Sequence, residues 1–234
     1  MTGRLQAIIF DFDGVIADSE PLHLRAFQQT LQEEGLQLDR DEYFARYLGF
    51  DDVGVFAALG KDRVLPMDDR RITTLVARKA EKLQAMRDGG EVLFPGAASF
   101  IREAAAAVPL AIASGALRHE ILEIIERAGL AHHFSTIVAA GDTPEGKPSP
   151  APYQLAFRLI QEAAGRSLDP GRSVAIEDSA WGLESARAAG LRCVGVTTSY
   201  AADQLPGAEL IVEGLRALTI PALERLCGTN LSMR

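Results

Sequence analysis

The chain has 234 residues, of which 47% are hydrophobic and 24% charged, and this composition excludes an intrinsically disordered protein. Its 24 basic and 32 acidic residues give a net charge of −8, which excludes the basic surface that grips a nucleic-acid backbone. The length allows one large domain, or one domain with a sizeable insertion.

Two kinds of segment alternate along most of the chain. Short apolar runs predict buried strands at residues 5–10, 110–113, 136–139, 173–176, 192–196 and 210–212. Segments with helical periodicity lie between most of them, at residues 96–107, 117–128, 150–164 and 180–189. Gly129 and Gly190 stand where helices end, and Ser179 stands where an N-cap belongs. The pattern predicts an α/β fold with a doubly wound parallel sheet covered by helices on both faces.

The interval after the first strand breaks this alternation. Helical stretches occur at about residues 21–34, 40–48 and 68–87, and no convincing strand lies between them. A parallel crossover needs only about a dozen residues, so the interval is too long for a simple connection. We therefore predict a helical subdomain of residues 16–90, inserted into an α/β core formed by residues 1–15 and 91–234.

Cysteine usage and hydropathy indicate the compartment. Cys193 and Cys227 are far apart in the chain and have no nearby histidine, so we expect no zinc site. We recognise no secretory signal peptide, and no apolar stretch approaches the roughly 20 residues of a membrane span. We therefore expect a reduced, soluble, cytoplasmic protein that has neither membrane nor nucleic acid as a partner.

Two aspartates follow the first predicted strand directly. Asp11 and Asp13 can point the same way, with Phe12 packing opposite, because side chains alternate along an extended chain. Two carboxylates held this close repel each other unless a cation or proton is shared. A calcium loop is excluded because its sixth and twelfth positions hold Ile16 and Leu22. A solvated turn is disfavoured because the preceding run is so apolar.

Three further segments carry polar residues at or near predicted strand ends. Ser114 and Gly115 precede a helix, where a hydroxyl and backbone N–H groups form either an anion site or a simple cap. Lys147 lies in a segment that nearly matches a nucleotide-binding P-loop, but a proline replaces the metal-binding hydroxyl residue, which excludes that loop. Glu177 and Asp178 end the fourth strand, and the alternative to a functional role there is helix capping by Asp178 or Ser179. Acids at two strand ends together favour a divalent-metal site, and oxygen-only ligands favour magnesium over zinc.

These segments, in this order, resemble the four motifs of the haloacid dehalogenase-like superfamily. The resemblance spans residues 5–196, and the insertion after the first motif is similar to the cap of its β-phosphoglucomutase and phosphoglycolate phosphatase-like group. It implies a Rossmann-like core with a helical cap. The matching positions are residues 11–20, Ser114, Lys147, residues 177–179, Gly182 and Ala186.

The resemblance also implies an activity: a magnesium-dependent phosphatase acting on a small phosphorylated metabolite, either a sugar phosphate or a phosphoglycolate-like monoester. Asp11 would be the nucleophile that forms an aspartyl-phosphate, and Asp13 would be the general acid and base. Magnesium would be held by Asp11, the backbone carbonyl of Asp13, Asp178 and, directly or through water, Glu177. The superfamily's metal-free dehalogenases do not use the second aspartate, so the presence of Asp13 favours phosphoryl chemistry.

In the same scheme, three residues would hold the phosphoryl oxygens of the substrate. They are Ser114, Gly115 and Lys147, and Lys147 would also balance the charge of the nucleophile. Because Asp11, Asp13 and Asp178 are all present, a binding module that has lost catalysis is disfavoured. We expect a monomer or a weak homodimer.

The cap supplies the candidates for substrate recognition: His23, Gly49 and Lys79. In the mutases, a Gly-x-x-Arg cap loop binds the second phosphate of the substrate, and the matching stretch here begins at Gly49 and carries Asp52 in place of the arginine. For His23 and Lys79 the alternative is a solvated helix face. A phosphomutase of the β-phosphoglucomutase type acting on a hexose phosphate is the alternative function, which the acid at position 52 disfavours.

Overall fold

The computed structural model describes residues 5–48, 50–87 and 92–228. The chain forms two compact units: one comprises the chain up to Asp18 and from Leu93 onward, and the other comprises Ser19–Val92. The predicted divisions, after residues 15 and 90, lie slightly earlier in the chain.

The segment just after the first strand explains this difference. Ala17 forms isolated β-bridges with both Asp13 and Leu93, and the backbone N–H of Phe94 donates to the carbonyl of Ile16 at 3.0 Å. These backbone pairs join the start and the end of the insertion within the first unit. Residues 16–18 therefore belong with the sheet rather than with the helical insertion.

In the described part of the second unit, four helices pack around one apolar cluster. Phe27 and Phe56 lie inside this cluster with their rings edge to face, at a centroid distance of 5.2 Å. The helices are α1 (Glu20–Glu33), α2 (Arg40–Arg46), α3 (Asp52–Asp62) and α4 (Asp69–Arg87).

Helix α3 is the element of this unit that was not predicted. Gly54 and Gly60 lie within it, and glycine lowers helix propensity by about 1 kcal/mol per residue. The helix nevertheless forms, because Asp51 caps its first turn by accepting from the N–H of Gly54 at 2.7 Å, and because Phe56 and Leu59 are buried. Tertiary packing thus overrides the local propensity.

The first unit is built on a parallel sheet, in which the described residues form six strands. The strands are β1 (Ala7–Phe10), β2 (Leu110–Ala113), β3 (Phe134–Val138), β4 (Ser173–Glu177), β5 (Arg192–Val196) and β6 (Leu210–Val212). Their spatial order is β3-β2-β1-β4-β5-β6, so β1 lies between β2 and β4. The chain departs in opposite directions from β1 and β4, and open α/β sheets place their ligands at the carboxyl ends of the strands beside such a switch point. The predicted fold class is confirmed.

Five further α-helices belong to this unit among the residues described. Helix α9 (Ile220–Gly228) was not predicted, although Leu223 and Cys227 lie four residues apart and are both buried, which is the spacing of a helix face. Strand β3 begins two residues earlier than predicted, because an edge strand with half-exposed side chains lacks a continuous apolar run. The helices are α5 (Ala97–Ala107), α6 (Arg118–Arg127), α7 (Ala151–Ala164), α8 (Ala180–Ala188) and α9 (Ile220–Gly228).

The predicted helix ends are confirmed. Gly129 and Gly190 follow α6 and α8 with φ of +65° and +83°, a conformation that side-chain-bearing residues adopt only with strain. Ser179 caps α8, since its hydroxyl oxygen accepts from the N–H of Gly182 at 3.2 Å. Cys193 is buried in β5, and burial raises its thiol pKa to about 12. Within the described segments, no helix has the length and hydropathy to cross a membrane.

Candidate active site

Asp11 lies at the carboxyl edge of the sheet, directly after the central strand β1. Its backbone N–H donates to the carbonyl of Ile176 in β4 at 2.9 Å, which ties Asp11 to the neighbouring strand. Because Phe10 pairs with Ile176 in the parallel register, the next residues on the two strands, Asp11 and Glu177, are also neighbours. The two acidic strand ends therefore meet at one edge of the sheet.

Three acidic residues converge at this edge. Carboxylate oxygens of Asp11, Glu177 and Asp178 lie within 4.8 Å of one another, and all three residues are buried. The donors are all hard oxygen atoms, which suit Mg²⁺ better than zinc. Carboxylates this close are stable only if a cation or a proton offsets their repulsion. The arrangement therefore fits a divalent metal ion.

Lys147 supplies one cation to the acidic group. Its ammonium donates to Oδ1 of Asp11 at 2.6 Å and to Oε1 of Glu177 at 2.5 Å. Burial alone would lower the pKa of Lys147, but the two carboxylates raise it above its ordinary value, so the ammonium stays charged. A single ammonium against three carboxylates leaves the group with excess negative charge.

The excess negative charge and the burial of the acids raise the pKa values of two of them. Burial raises the pKa of Asp11 well above its usual range, against the opposing effect of Lys147. Burial and the charge of Glu177 raise the pKa of Asp178 to about 7, although a hydrogen bond from Ser199 lowers it. In the absence of a metal ion, the group therefore retains a proton near neutral pH.

We expect the affinity for Mg²⁺ to rise with pH up to about pH 7. Below this pH, Asp178 holds a proton that the metal must displace, so the association constant falls by about tenfold for each pH unit. Above it, Asp178 is ionised and the affinity levels off. Calorimetric titration with MgCl₂ from about pH 5.5 to about pH 8, in buffers of different ionisation enthalpy, measures both the affinity and the protons released. An affinity that does not change over this range would contradict the expectation.

Glu177 is the most enclosed of the acids, with 0% of its surface exposed. Its Oε1 accepts from Lys147 and from the hydroxyl of Tyr153 at 2.8 Å. Its Oε2 accepts from the backbone N–H of Asp178 at 3.2 Å and from the hydroxyl of Ser179 at 3.0 Å. Four donors of this chain thus hold one carboxylate in place.

Two glycines allow the acids to approach the backbone. A Cβ on Gly14 would lie 1.8 Å from Oδ2 of Asp178, and the φ of +80° at Gly14 also disfavours any side chain. A Cβ on Gly182 would lie 2.1 Å from both carboxylate oxygens of Glu177. No other residue type fits at either position without displacing an acid of the site.

Three residues that support the site were not predicted from the sequence. Thr198 donates from its hydroxyl to the carbonyl of Gly14, and Ser199 bonds to Asp178. Both follow β5, which neighbours β4, so polar residues after the fifth predicted strand were the available signal. Tyr153 carries no such signal, because a tyrosine on the buried face of a helix usually only fills the core.

The other site residues that were predicted in the α/β core lie at the same edge of the sheet. Ser114 follows β2, the other neighbour of β1; it is buried, and its hydroxyl oxygen accepts from the N–H of Ala116 at 3.0 Å. Gly115 is exposed, with open space where a Cβ would stand. Asp13 is half-buried and lies two residues beyond Asp11.

Two of the predicted cap residues come together in the helical unit. The ammonium of Lys79 lies 3.0 Å from Nδ1 of His23, donates to Oδ1 of Asp52 at 2.6 Å, and lies 4.7 Å from the centre of the Phe27 ring. Lys79 is only 1% exposed, so the alternative of a solvated helix lysine is wrong. Gly49 lies outside the described residues.

Comparison with known proteins places this geometry in context. The family model of haloacid dehalogenase-like hydrolases matches residues 8–196. The protein CbbY of Cereibacter sphaeroides is 34% identical over 228 residues, which cover 92% of this chain and 94% of that protein. A phosphoglycolate phosphatase of Neisseria meningitidis serogroup A is 30% identical over 207 residues, covering 84% and 82% of the two chains.

A solved structure shows the same similarity. It is the crystal structure of an Asp→Asn variant of CbbY from Rhodobacter sphaeroides in complex with xylulose-(1,5)bisphosphate. It superimposes with a TM-score of 0.76 at 30% sequence identity and covers 92% of this chain and 96% of that one. Each of these similarities includes residues of both units.

Proposed function

Because the chain belongs to the haloacid dehalogenase-like hydrolase family, we propose that it is a magnesium-dependent phosphatase acting on a small phosphate monoester through an aspartyl-phosphate intermediate. The observation that carries the proposal is the buried carboxylate of Asp11, held 2.6 Å from the ammonium of Lys147 and beside Glu177 and Asp178. A carboxylate paired with an ammonium can attack phosphorus while that cation offsets part of the phosphoryl charge. The similarity to a phosphoglycolate phosphatase supports hydrolysis as the reaction class.

In the first step, a carboxylate oxygen of Asp11 attacks the phosphorus atom. The new O–P bond forms as the bond between phosphorus and the alcohol oxygen breaks, and Asp13 donates a proton to the departing alcohol. Lys147, the hydroxyl of Ser114 and the N–H of Gly115 hold the phosphoryl oxygens, over which the transition-state charge is spread.

In the second step, water releases the phosphate. Asp13, now ionised, accepts a proton from a water molecule as the water oxygen bonds to phosphorus. The bond between phosphorus and the Asp11 oxygen breaks, which yields inorganic phosphate and restores the carboxylate of Asp11. The same side chain thus serves as acid and then as base, and the enzyme returns to its starting protonation state.

Asp11, Asp178 and the backbone carbonyl of Asp13 would hold Mg²⁺. When bound, the ion would shield the repulsion between the carboxylate of Asp11 and the phosphoryl oxygens, and it would orient the group for attack. Support comes from the oxygen cluster and from the raised pKa values of Asp11 and Asp178, since both indicate acids that need a cation.

We propose hydrolysis rather than phosphoryl transfer within a bisphosphate because of the charges in the helical unit. A phosphomutase needs a second phosphate site, and an effective site needs a cation that is not already neutralised. Lys79 forms an ion pair with Asp52 at 2.6 Å, and Asp51 stands next to Asp52 at the start of α3. These acids repel a second phosphate.

Phosphorus NMR tests this proposal directly. The protein is incubated with MgCl₂ and, separately, with phosphoglycolate, a pentulose bisphosphate, and a hexose 1-phosphate together with a catalytic hexose bisphosphate. We expect inorganic phosphate to accumulate from at least one of these compounds and no stimulation by the hexose bisphosphate. Conversion of the hexose 1-phosphate to the 6-phosphate faster than phosphate release would instead make the protein a mutase.

A further inference from the structure

We propose that Tyr153 is a positioning residue of this active site, which holds Glu177 and, through it, the ammonium of Lys147 against Asp11. The part of this inference that concerns the reaction rate rests on the proposed function. The part that concerns the placement of Lys147 rests on the hydrogen bonds alone.

Tyr153 contacts both members of an ion pair. It lies in the first turn of α7 and is 0% exposed, packed among side chains of the sheet and of α8. Its hydroxyl donates to Oε1 of Glu177 at 2.8 Å, and its ring centre lies 5.1 Å from the ammonium of Lys147. Hydroxyl and ring therefore act on different partners, the first through a charge-assisted hydrogen bond and the second through a cation–π contact.

The hydroxyl of Tyr153 is one of the hydrogen-bond donors that fill the acceptor positions of the Glu177 carboxylate. A carboxylate offers about four acceptor positions, and Lys147, Tyr153, the N–H of Asp178 and the hydroxyl of Ser179 supply four donors. Lys147 and Tyr153 share the same oxygen, Oε1. Without the tyrosine hydroxyl, a fully buried carboxylate would lack one of its four donors, which would weaken the hold on its present orientation.

Lys147 depends on this carboxylate for its own position. A lysine side chain has a flexible four-carbon stem, so its ammonium is fixed only by its partners. Those partners are Glu177 at 2.5 Å and Asp11 at 2.6 Å, with the Tyr153 ring beneath. A change in Glu177 therefore moves the cation that the nucleophile and the phosphoryl group both require.

The test compares Tyr153→Phe with a matched control, Tyr47→Phe. Tyr47 is also a buried tyrosine, 1% exposed, whose hydroxyl donates to a carboxylate, that of Asp62 at 2.8 Å, but it lies in the helical unit. Both variants lose one hydroxyl and keep the ring. Three quantities are measured: the melting temperature, kcat and KM for an aryl phosphate with MgCl₂, and the ¹³Cε resonance of Lys147 in lysine-labelled protein without substrate. The resonance is assigned by its loss in Lys147→Arg.

We expect Tyr153→Phe to lower kcat by about 10- to 100-fold, the range seen when a residue that orients a reacting group is removed. KM should change by less than about threefold, since the residue does not touch substrate. The Lys147 resonance should shift or broaden. Tyr47→Phe should lower the melting temperature alone, with unchanged kcat and an unchanged Lys147 resonance.

The outcomes separate this inference from the proposed function. A Tyr153→Phe protein with parental kcat and a parental Lys147 resonance overturns the positioning role and leaves Tyr153 as a core residue. If the unaltered protein hydrolyses no phosphate monoester, the proposed function fails, and the Lys147 resonance still decides the positioning. If Tyr153→Phe does not fold, Glu177→Gln replaces it, and a Lys147 resonance that does not respond to that change also overturns the inference.

Discussion

Replacing Asp11 with asparagine should abolish phosphate release while the protein still folds. An amide cannot form the acyl-phosphate bond, and loss of a nucleophile of this kind lowers the rate by about four orders of magnitude or more. The fold should persist, because the substitution keeps the shape of the side chain. It removes the ion pair with Lys147 and also the repulsion from Glu177 and Asp178, two effects of opposite sign.

The measurement is phosphate release from an aryl phosphate with MgCl₂, together with a thermal unfolding curve. Asp169→Asn is the matched control: it is the same chemical change, but Asp169 is exposed and precedes β4, at the amino edge of the sheet. The control should retain parental turnover. Near-parental turnover in Asp11→Asn would show that Asp11 is not the nucleophile.

Removing divalent metal should abolish turnover as completely as loss of the nucleophile. Burial raises the pKa of Asp11 well above its usual range, so without a second cation the nucleophile binds a proton more readily than an ordinary aspartate does. A protonated carboxyl group does not attack phosphorus, and the excess negative charge of the acidic group repels the phosphate. Excess chelator should therefore stop the reaction, and added MgCl₂ should restore it. CaCl₂ should restore little, because calcium's larger and looser coordination misplaces Asp11.

Thermal unfolding gives a readout that does not depend on catalysis. A ligand that binds only the folded protein stabilises it by about 2.7 kcal/mol at one hundred times its Kd, so MgCl₂ should raise the melting temperature. Asp178→Asn should greatly reduce this rise, because it removes one of the two carboxylates assigned to the metal. Undiminished activity in excess chelator would overturn the metal requirement.

The sequence by itself determined most of the α/β core and which residues meet at its edge. Apolar runs separated by single helices require a parallel sheet, and parallel strands present all their carboxyl ends at one edge. Asp11, Ser114, Glu177 and Asp178 each follow a predicted strand, so their convergence follows from the topology class alone. The glycines that end helices could also be predicted, because the positive φ at a helix end is a requirement of the local backbone.

The tertiary structure alone decided which partner each polar atom has. Tyr153 and Glu177 lie 24 residues apart, and Lys147 and Asp11 lie 136 apart, so no local pattern links them. Lys79 was expected at a cap position, but its pairing with Asp52 depends on how α3 and α4 pack. Helix α3 itself forms through that packing, against the low propensity of its glycines. Periodicity specifies which face of an element is buried, whereas the partner of a buried charge depends on the three-dimensional neighbours that remove it from water.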